Sequence, residues 1–353
     1  MAKSNFNIDR AKTHILMKEK SVANLLPSED GLYLNEDGHW DFDKWREQFQ
    51  IKIVKRNSLE MEFDLIGIQA AIVNAFRRIL LSDVPSMAFE KVLIYNNTSI
   101  IQDEVLAHRL GLIPLKADAR QFEYRQPDDE NGTDVDTLKY KLKVKCSWNK
   151  NASPSAPLSE QQVNTNVYSS QIKWLPMGSQ SNVYKPDDVN PIHHDILIAK
   201  MVPGQEMDIE LHAIKGIGRD HAKFSPVATA FYRLLPEITL LRDVEDDLAY
   251  KLQKCFSPGV IGLQKTKSGN VKAYVSDARY DTCSRNVFRH EDLKDAVQLE
   301  RVKHHFIFTI ESVGALPPDV LFIEAVRTLK NDCLDLLQKM KNMKKSGKKK
   351  KNN

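Results

Sequence analysis

The chain has 353 residues, 42% hydrophobic and 28% charged, the balance of an ordinary globular protein long enough for two domains. Its formal net charge of +4 conceals a split: without the eight lysines Lys339, Lys341, Lys344, Lys345, Lys348, Lys349, Lys350 and Lys351, the 51 basic residues fall to 43 against 47 acidic ones, a body near −4. Such a body argues against a fold that grips duplex nucleic acid through its own surface, and no stretch approaches the roughly 20 apolar residues of a membrane-spanning helix.

Residues 1–47 read as a polar N-terminal extension. It holds Leu25-Leu26-Pro27 and the aromatic segment Gly38-His39-Trp40-Asp41-Phe42-Asp43-Lys44-Trp45. Exposed tryptophan is unfavourable for solubility, so this segment is expected to lie against something. Met1 to Phe6 lack the apolar core of a secretory leader. Next, Phe49, Ile51 and Ile53 alternate with polar residues, Asn57-Ser58 supplies a turn, and Leu59, Met61, Phe63 and Leu65 alternate again. That pattern predicts a β-hairpin.

A helix follows over residues 68–81. Ile68, Ala71, Ile72, Ala75, Phe76, Ile79 and Leu80 fall on one helical face, and Pro85 closes the segment. At 100° per residue Arg78 flanks this stripe, Asn74 lies farther round, and Arg77 points nearly opposite. The polar side is either solvated or a docking surface, and periodicity alone leaves both open.

Beyond Pro85 the predicted elements are a strand at 88–95, a short helix at 101–111 with Gly111 as a positive-φ cap, and an apolar strand at 112–115. A polar loop covers 126–136, a strand 138–148, and an irregular stretch 149–159 contains Pro154 and Pro157. Further strands are expected near 172–175, 196–199 and 207–211. The whole block 86–228 is β-rich and looks like an insertion. Gly216 and Gly218 lack the third glycine of a dinucleotide loop, so a turn is expected there.

The last third returns to mixed α/β: a strand at 234–242, a helix at 244–255, strands at 260–263, 271–275 and 304–312, and a long helix starting at Pro317-Pro318. In it Phe322, Val326, Leu329, Cys333, Leu336 and Met340 recur at steps of four and three, a heptad seam. Either a partner helix or the chain's own core can cover such a seam; about 22 residues at roughly 1.5 Å each make a rod long for one small domain. Residues 341–353 form a basic tail expected to be disordered, a nucleic-acid or nuclear-localisation patch or simply a solvated end.

No catalytic constellation emerges. The adjacent pairs His193-His194 and His304-His305 point to opposite faces of a strand, and no nucleophile elbow, Walker loop or His-Glu-x-x-His is present. Cys146, Cys255, Cys283 and Cys333 are far apart and form no Cys-x-x-Cys pair, which speaks against a disulfide framework or a local zinc site.

Four motifs carry a resemblance. Asn74-Ala75-Phe76-Arg77-Arg78-Ile79-Leu80-Leu81-Ser82-Asp83-Val84-Pro85 is similar to the Asn-Ala-x-Arg-Arg-x-Leu-Leu-Ser-x-x-Pro signature of RNA polymerase alpha-type subunits. Leu106-Ala107-His108-Arg109-Leu110-Gly111-Leu112-Ile113-Pro114-Leu115 resembles the motif of their archaeal and eukaryotic members. Residues 220–230 and 308–318 match a third and a fourth, in order. Cys255-Phe256-Ser257-Pro258-Gly259-Val260, residues 281–289 and the aromatic extension resemble the forty-kilodalton alpha-like branch shared by polymerases I and III.

The resemblance implies an α+β, two-domain fold. A discontinuous dimerisation domain at 48–85 and 229–340, a sheet with two long helices, would enclose the β-rich insert 86–228. It implies a non-catalytic assembly scaffold for rRNA, tRNA and 5S RNA transcription, in the nucleus, nucleolus and nucleoplasm, with nucleotidyl transfer residing in the largest subunits. The implied partners are a smaller alpha-like subunit, the second-largest subunit and small zinc-binding subunits, with DNA contacted only through the complex and no membrane. Interface residues are expected among Ile72, Asn74, Phe76, Arg77, Arg78, Leu80, Phe322, Val326, Leu329, Cys333 and Leu336, with Arg77 reaching outward toward the second-largest subunit. No metal or other cofactor is expected: residues 116–145 lack the cysteines of the polymerase II counterpart's zinc cluster, and Cys255 with Cys283 cannot supply the four thiolates of an iron–sulfur centre. The alternatives are a free-standing nuclear nucleic-acid-binding protein acting through its lysine tail and, with no motif to support it, an independent metabolic enzyme.

Overall fold

The computed structural model describes residues 8–25, 39–126, 129, 131–153, 157–267 and 269–349. The chain start, Leu26-Pro27 and Gly38 of the extension, part of the 126–136 loop, Pro154 and the end of the lysine run lie outside the described residues.

A short helix α1 (Ile8–Thr13) leads into strands β1 (His14–Met17) and β2 (Val22–Ala23). Helix α2 (Phe42–Gln48) is capped by Asp41, whose carboxylate accepts from the Asp43 and Lys44 amides. The predicted hairpin is β3 (Gln50–Arg56) and β4 (Glu60–Ile66), turned at Asn57, whose side chain accepts from the Leu59 and Glu60 amides. Helix α3 (Ala70–Ser82), strand β5 (Ser86–Asn97) and helix α4 (Asp103–Gly111) follow. Then come β6 (Thr137–Lys145), the ribbon strands β7 (Ser147–Trp148) and β8 (Gln162–Val163) around a single turn α5 (Leu158–Gln161), β9 (Asn166–Tyr168) and β10 (Lys173–Leu175). Single turns α6 (Gln180–Val183) and α7 (Pro186–Val189) precede β11 (Leu197–Lys200) and β12 (Glu206–Gly216). The chain ends with β13 (Val227–Leu240), α8 (Asp246–Cys255), the hairpin β14 (Ile261–Lys265) and β15 (Val271–Val275), β16 (Val297–Ser312) and α9 (Pro318–Lys349). The fold class is mixed α and β, as expected.

Packing divides the chain into two compact units: Met1–Lys55 with Glu62–Asn74 and Phe231–Thr309, and Arg56–Met61 with Ala75–Ala230 and Ile310–Asn353. A six-stranded sheet, ordered β2-β1-β16-β4-β3 with β13 also on β16, supplies the framework of the first unit. Its aromatic core stacks Phe63 on Phe308 at 5.4 Å and sets Tyr232 edge-on to Phe306 at 5.6 Å. The N-terminal extension is not merely laid against this unit. β1 pairs with β16, His14 opposite Val302 through Met17 opposite Leu299, and Arg10 pairs with the buried Glu300 at 2.7 Å. Short strands without apolar periodicity take their stability from the sheet they join, which is why 1–47 shows no strand signal. α8 and the β14–β15 hairpin bury Val244, Ala249, Leu252 and Val260 in a second core.

Arg279 clamps this unit. Its guanidinium donates to Glu62 at 2.7 and 2.9 Å and to Asp64 at 2.8 Å, while the other Asp64 oxygen lies 3.0 Å from His305 Nε2. Burial works against the Arg279 charge, but the bonds to both carboxylates prevail and its pKa is raised.

In the second unit β10-β6-β12-β5 form a four-stranded sheet. Met207, Ile209 and Leu211 of β12 meet Leu138, Tyr140 and Leu142 of β6 in a dry core, which Leu106 and Leu110 of α4 join. Gly111 departs from expectation: it is the last helical residue, and the cap is Leu112 in a right-handed conformation at φ −87°. A Cβ on Gly111 would stand 3.4 Å from the Phe89 carbonyl oxygen, an ordinary contact, so neither a positive φ nor a steric clash demands glycine here. The strand expected at 112–115 is reduced to a single bridge between Leu115 and Pro191.

Candidate partner interface

The second unit brings the motif segments together. Arg219 pairs with Asp83, and its amide donates to the Ser82 carbonyl at 2.9 Å. Ser86 Oγ donates to the Phe224 carbonyl at 2.7 Å, and Lys223 Nζ donates to the Phe89 carbonyl at 2.9 Å while pairing with Glu90. His108 of α4 stands edge-on to His221 at 6.4 Å. The fourth segment joins through the Val313 amide, which donates to the Pro226 carbonyl at 3.1 Å. A Cβ on Gly218 would come within 2.2 Å of the Leu81 carbonyl oxygen, so the predicted turn there is pressed against the end of α3. The motifs therefore build one another's backbone supports.

The open cleft lined by Glu90, His108, His221 and Lys223, about 370 Å³, holds an ion pair and two imidazoles but no nucleophile with an adjacent base. Among the described residues no three His, Cys, Asp or Glu side chains gather as a metal site requires. Burial pushes the Cys146, Cys255 and Cys283 thiols up, away from thiolate chemistry.

Helix α3 is turned relative to the expected stripe. It buries Val73, Phe76, Ile79 and Leu80, whereas Ala70, Ala71 and Ile72 are exposed and Ala75 is half-buried. Ile68 is buried but precedes the helix. With the buried face centred between Phe76 and Leu80, Arg77 lies nearer its margin and is half-buried, while Arg78 points outward and is exposed. The assignment of Arg77 as the outward residue is thus reversed. Asn74 is half-buried as well.

Helix α9 has two regimes. Its first turns bury Leu321, Phe322 and Ala325, and Phe322 meets Phe76 edge-on at 5.3 Å. Arg56 pairs with Asp319 at 2.7 Å, and Arg120, held by Asp118 at 2.7 Å, reaches Glu324 at 3.5 Å. Sequence reasoning missed Asp118 and Arg120; their signal was the Asp118-Ala119-Arg120 spacing, in which the aspartate accepts from the amide two residues on. Ser312 Oγ donates to the Leu316 carbonyl at 2.6 Å and sets the entry turn. From residue 330 to 343 every position is exposed, including Cys333, Leu334, Leu336, Leu337, Met340 and Met343. Of the expected interface residues, Phe76, Leu80 and Phe322 are buried and serve the chain's own packing. Ile72, Arg78, Val326, Cys333 and Leu336 are open, and Leu329 is half-buried. The helix continues through 341–349, where a disordered tail is expected from composition.

Residues 62–333 match the family model of the RNA polymerase Rpb3/Rpb11 dimerisation domain. A mouse protein named DNA-directed RNA polymerases I and III subunit RPAC1 is 50% identical over 94% of the chain and 96% of its own length. The protein of the same name from Saccharomyces cerevisiae is 47% identical over 85% of the chain and 90% of its own. A Dictyostelium discoideum protein named DNA-directed RNA polymerase II subunit rpb3 is similar at 28% identity over 83% of the chain.

Proposed function

The chain belongs to the alpha-like subunit family of DNA-directed RNA polymerases I and III, and we propose that it acts there as a non-catalytic assembly subunit whose α9 receives a smaller alpha-like partner. The observation that carries this reading is the exposed apolar run from Cys333 to Met343 on a helix whose base is fixed within the chain. Leu336, Leu337 and Met340, with Val326 nearer the base, lie on one helical face and suit knobs-into-holes packing with a second helix. A face this apolar is characteristic of obligate interfaces. Ala71 and Ile72 of α3 offer a further apolar contact. In this reading 48–85 and 229–340 form the dimerisation domain around the insert 86–228.

Arg78 is the α3 residue assigned to the second-largest subunit, because it is the exposed cation beside a well-anchored motif. Small zinc-binding subunits complete the assembly, and nucleotidyl transfer belongs to the largest subunits. The protein works in the nucleus, in the nucleolus as part of polymerase I and in the nucleoplasm as part of polymerase III. Affinity purification of the tagged chain should recover the alpha-like partner and the large subunits of both polymerases. Recovery of neither ends the proposal. Arg78→Ala should keep the partner and lose the second-largest subunit; loss of the partner itself would show that this face is misassigned.

A further inference from the structure

One surface of the first unit has no part in the contacts proposed above. Strand β3 stands at the end of the six-stranded sheet, paired on one side to β4. All seven of its residues are exposed, and among the described residues its second row of backbone groups has no strand partner. Ile51 and Ile53 project to one side and Val54 to the other, each about half exposed. Immediately before it, α2 carries an aromatic shelf: Trp45 stacks on Phe49 at 5.0 Å and 14°, with Phe42 at 5.7 Å and Trp40 at 6.2 Å from Trp45. Trp40 and Phe42 remain 57% and 53% exposed although they are already clustered.

Shelf and strand are joined rigidly. A Cβ on Gly67 would lie 2.3 Å from the Gln48 carbonyl oxygen, so the α2–β3 junction is pressed onto the end of β4 at a residue of φ +69°. A long open edge flanked by exposed aromatics is a hazard that folded proteins normally blunt. Here the blunting is one-signed: between Gln50 and Lys55 the strand carries Lys52 and Lys55 and no acidic residue. Two copies pairing edge to edge would bring Lys52 against Lys52, whereas a strand bearing carboxylates would offer it a counter-charge.

We propose that β3 is extended in the assembled polymerase by a strand from another subunit, one that alternates apolar residues over Ile51 and Ile53 with acidic residues over Lys52, and whose flank lies on the Trp40–Phe42–Trp45 shelf. Main-chain hydrogen bonds along the open edge supply the register, and the side-chain alternation supplies the selectivity. This rests on the reading of the chain as a polymerase subunit and names a second class of partner contact for it.

The test is hydrogen–deuterium exchange of the full chain, in its alpha-like heterodimer and in purified polymerase. Amides of residues 51–55 should exchange at least about tenfold more slowly in the polymerase than in the heterodimer. A photo-crosslinking residue at Gln50, exposed on the same strand face as Lys52, should capture a polymerase subunit other than the alpha-like partner. Lys52→Glu should reduce that capture at least about tenfold, leaving the partner bound and the melting temperature of the heterodimer unchanged. Unchanged exchange, or capture of a second copy, of nucleic acid or of nothing, overturns the proposal while leaving the scaffold reading in place. Failure to recover any polymerase subunit overturns both.

Discussion

Replacing Leu336 and Leu337 with alanine separates a partner-facing helix from a self-packed one. The two side chains are 60% and 53% exposed, so the isolated chain already shields the rest. Each substitution removes about three carbons at roughly 0.8 kcal/mol apiece, of which only the exposed half is newly buried on association. The pair is therefore worth about 2.5 kcal/mol of binding, on the order of 60-fold in Kd. The isolated chain should change by no more than about 0.5 kcal/mol, since alanine is a good helix former and little packing is lost. Leu80→Ala supplies the opposite control: with the residue fully buried, about 2–5 kcal/mol of stability should disappear with little direct effect on the partner face. Calorimetric titration with the alpha-like partner and urea unfolding of the chain alone measure the two quantities. Native-like affinity in the double variant, or a chain destabilised by more than about 1 kcal/mol, would refute the assignment of this face.

Cys333 is exposed on α9 while burial raises the other three thiols, so a maleimide at neutral pH should modify Cys333 first by mass spectrometry, and partner binding should slow it. Arg279→Ala leaves Glu62 and Asp64 facing each other with their cation gone and should cost about 3–5 kcal/mol in urea unfolding, part of it restored by Asp64→Asn. Acid should loosen the base of α9: burial alone would raise Asp118, but the Arg120 bonds win and lower it below its usual 3.8. A depressed carboxylate contributes stability above its unfolded pKa and loses it as pH falls through the folded one. The melting temperature should therefore fall below about pH 4, and Asp118→Asn should flatten that limb; an unchanged limb would exclude Asp118 as its source.

Elements with their own period were legible. The β3–β4 hairpin, β12, α8 and α9 follow from alternation or from steps of three and four; β4, β12, α8 and the first turns of α9 bury the face that their period marks, whereas β3 and the rest of α9 leave theirs exposed. What escaped depends on distant residues. β1 and β2 are strands only because β16 offers an edge, and Arg10 has meaning only beside Glu300. Gly111 fits a local capping rule by residue type, yet the helix runs through it and is capped by Leu112 in a right-handed conformation. The motifs located the segments of the candidate interface, but burial decided which side chains remain free. Phe76 and Phe322, the largest apolar members of the expected set, spend their surface on each other.

α3 shows how small a change redirects such an inference. In the expected stripe Ala71 and Ala75 weigh as much as Phe76 and Leu80, and Val73 stands outside it. Alanine contributes little area and is tolerated on any helical face, so it fixes the orientation of a stripe weakly. Valine has a stiff branched side chain that gains by burial, and Val73 is fully buried. Weighting the positions by apolar area turns the face toward Val73 and Leu80. Arg77 is drawn to its margin and Arg78 is carried to solvent. Of two adjacent arginines, the one available to a partner is then settled by the whole buried set of Val73, Phe76, Ile79 and Leu80. Exchanging Val73 and Ala71 should destabilise the chain without relocating the exposed cation, because Phe76, Ile79 and Leu80 still fix the helix face.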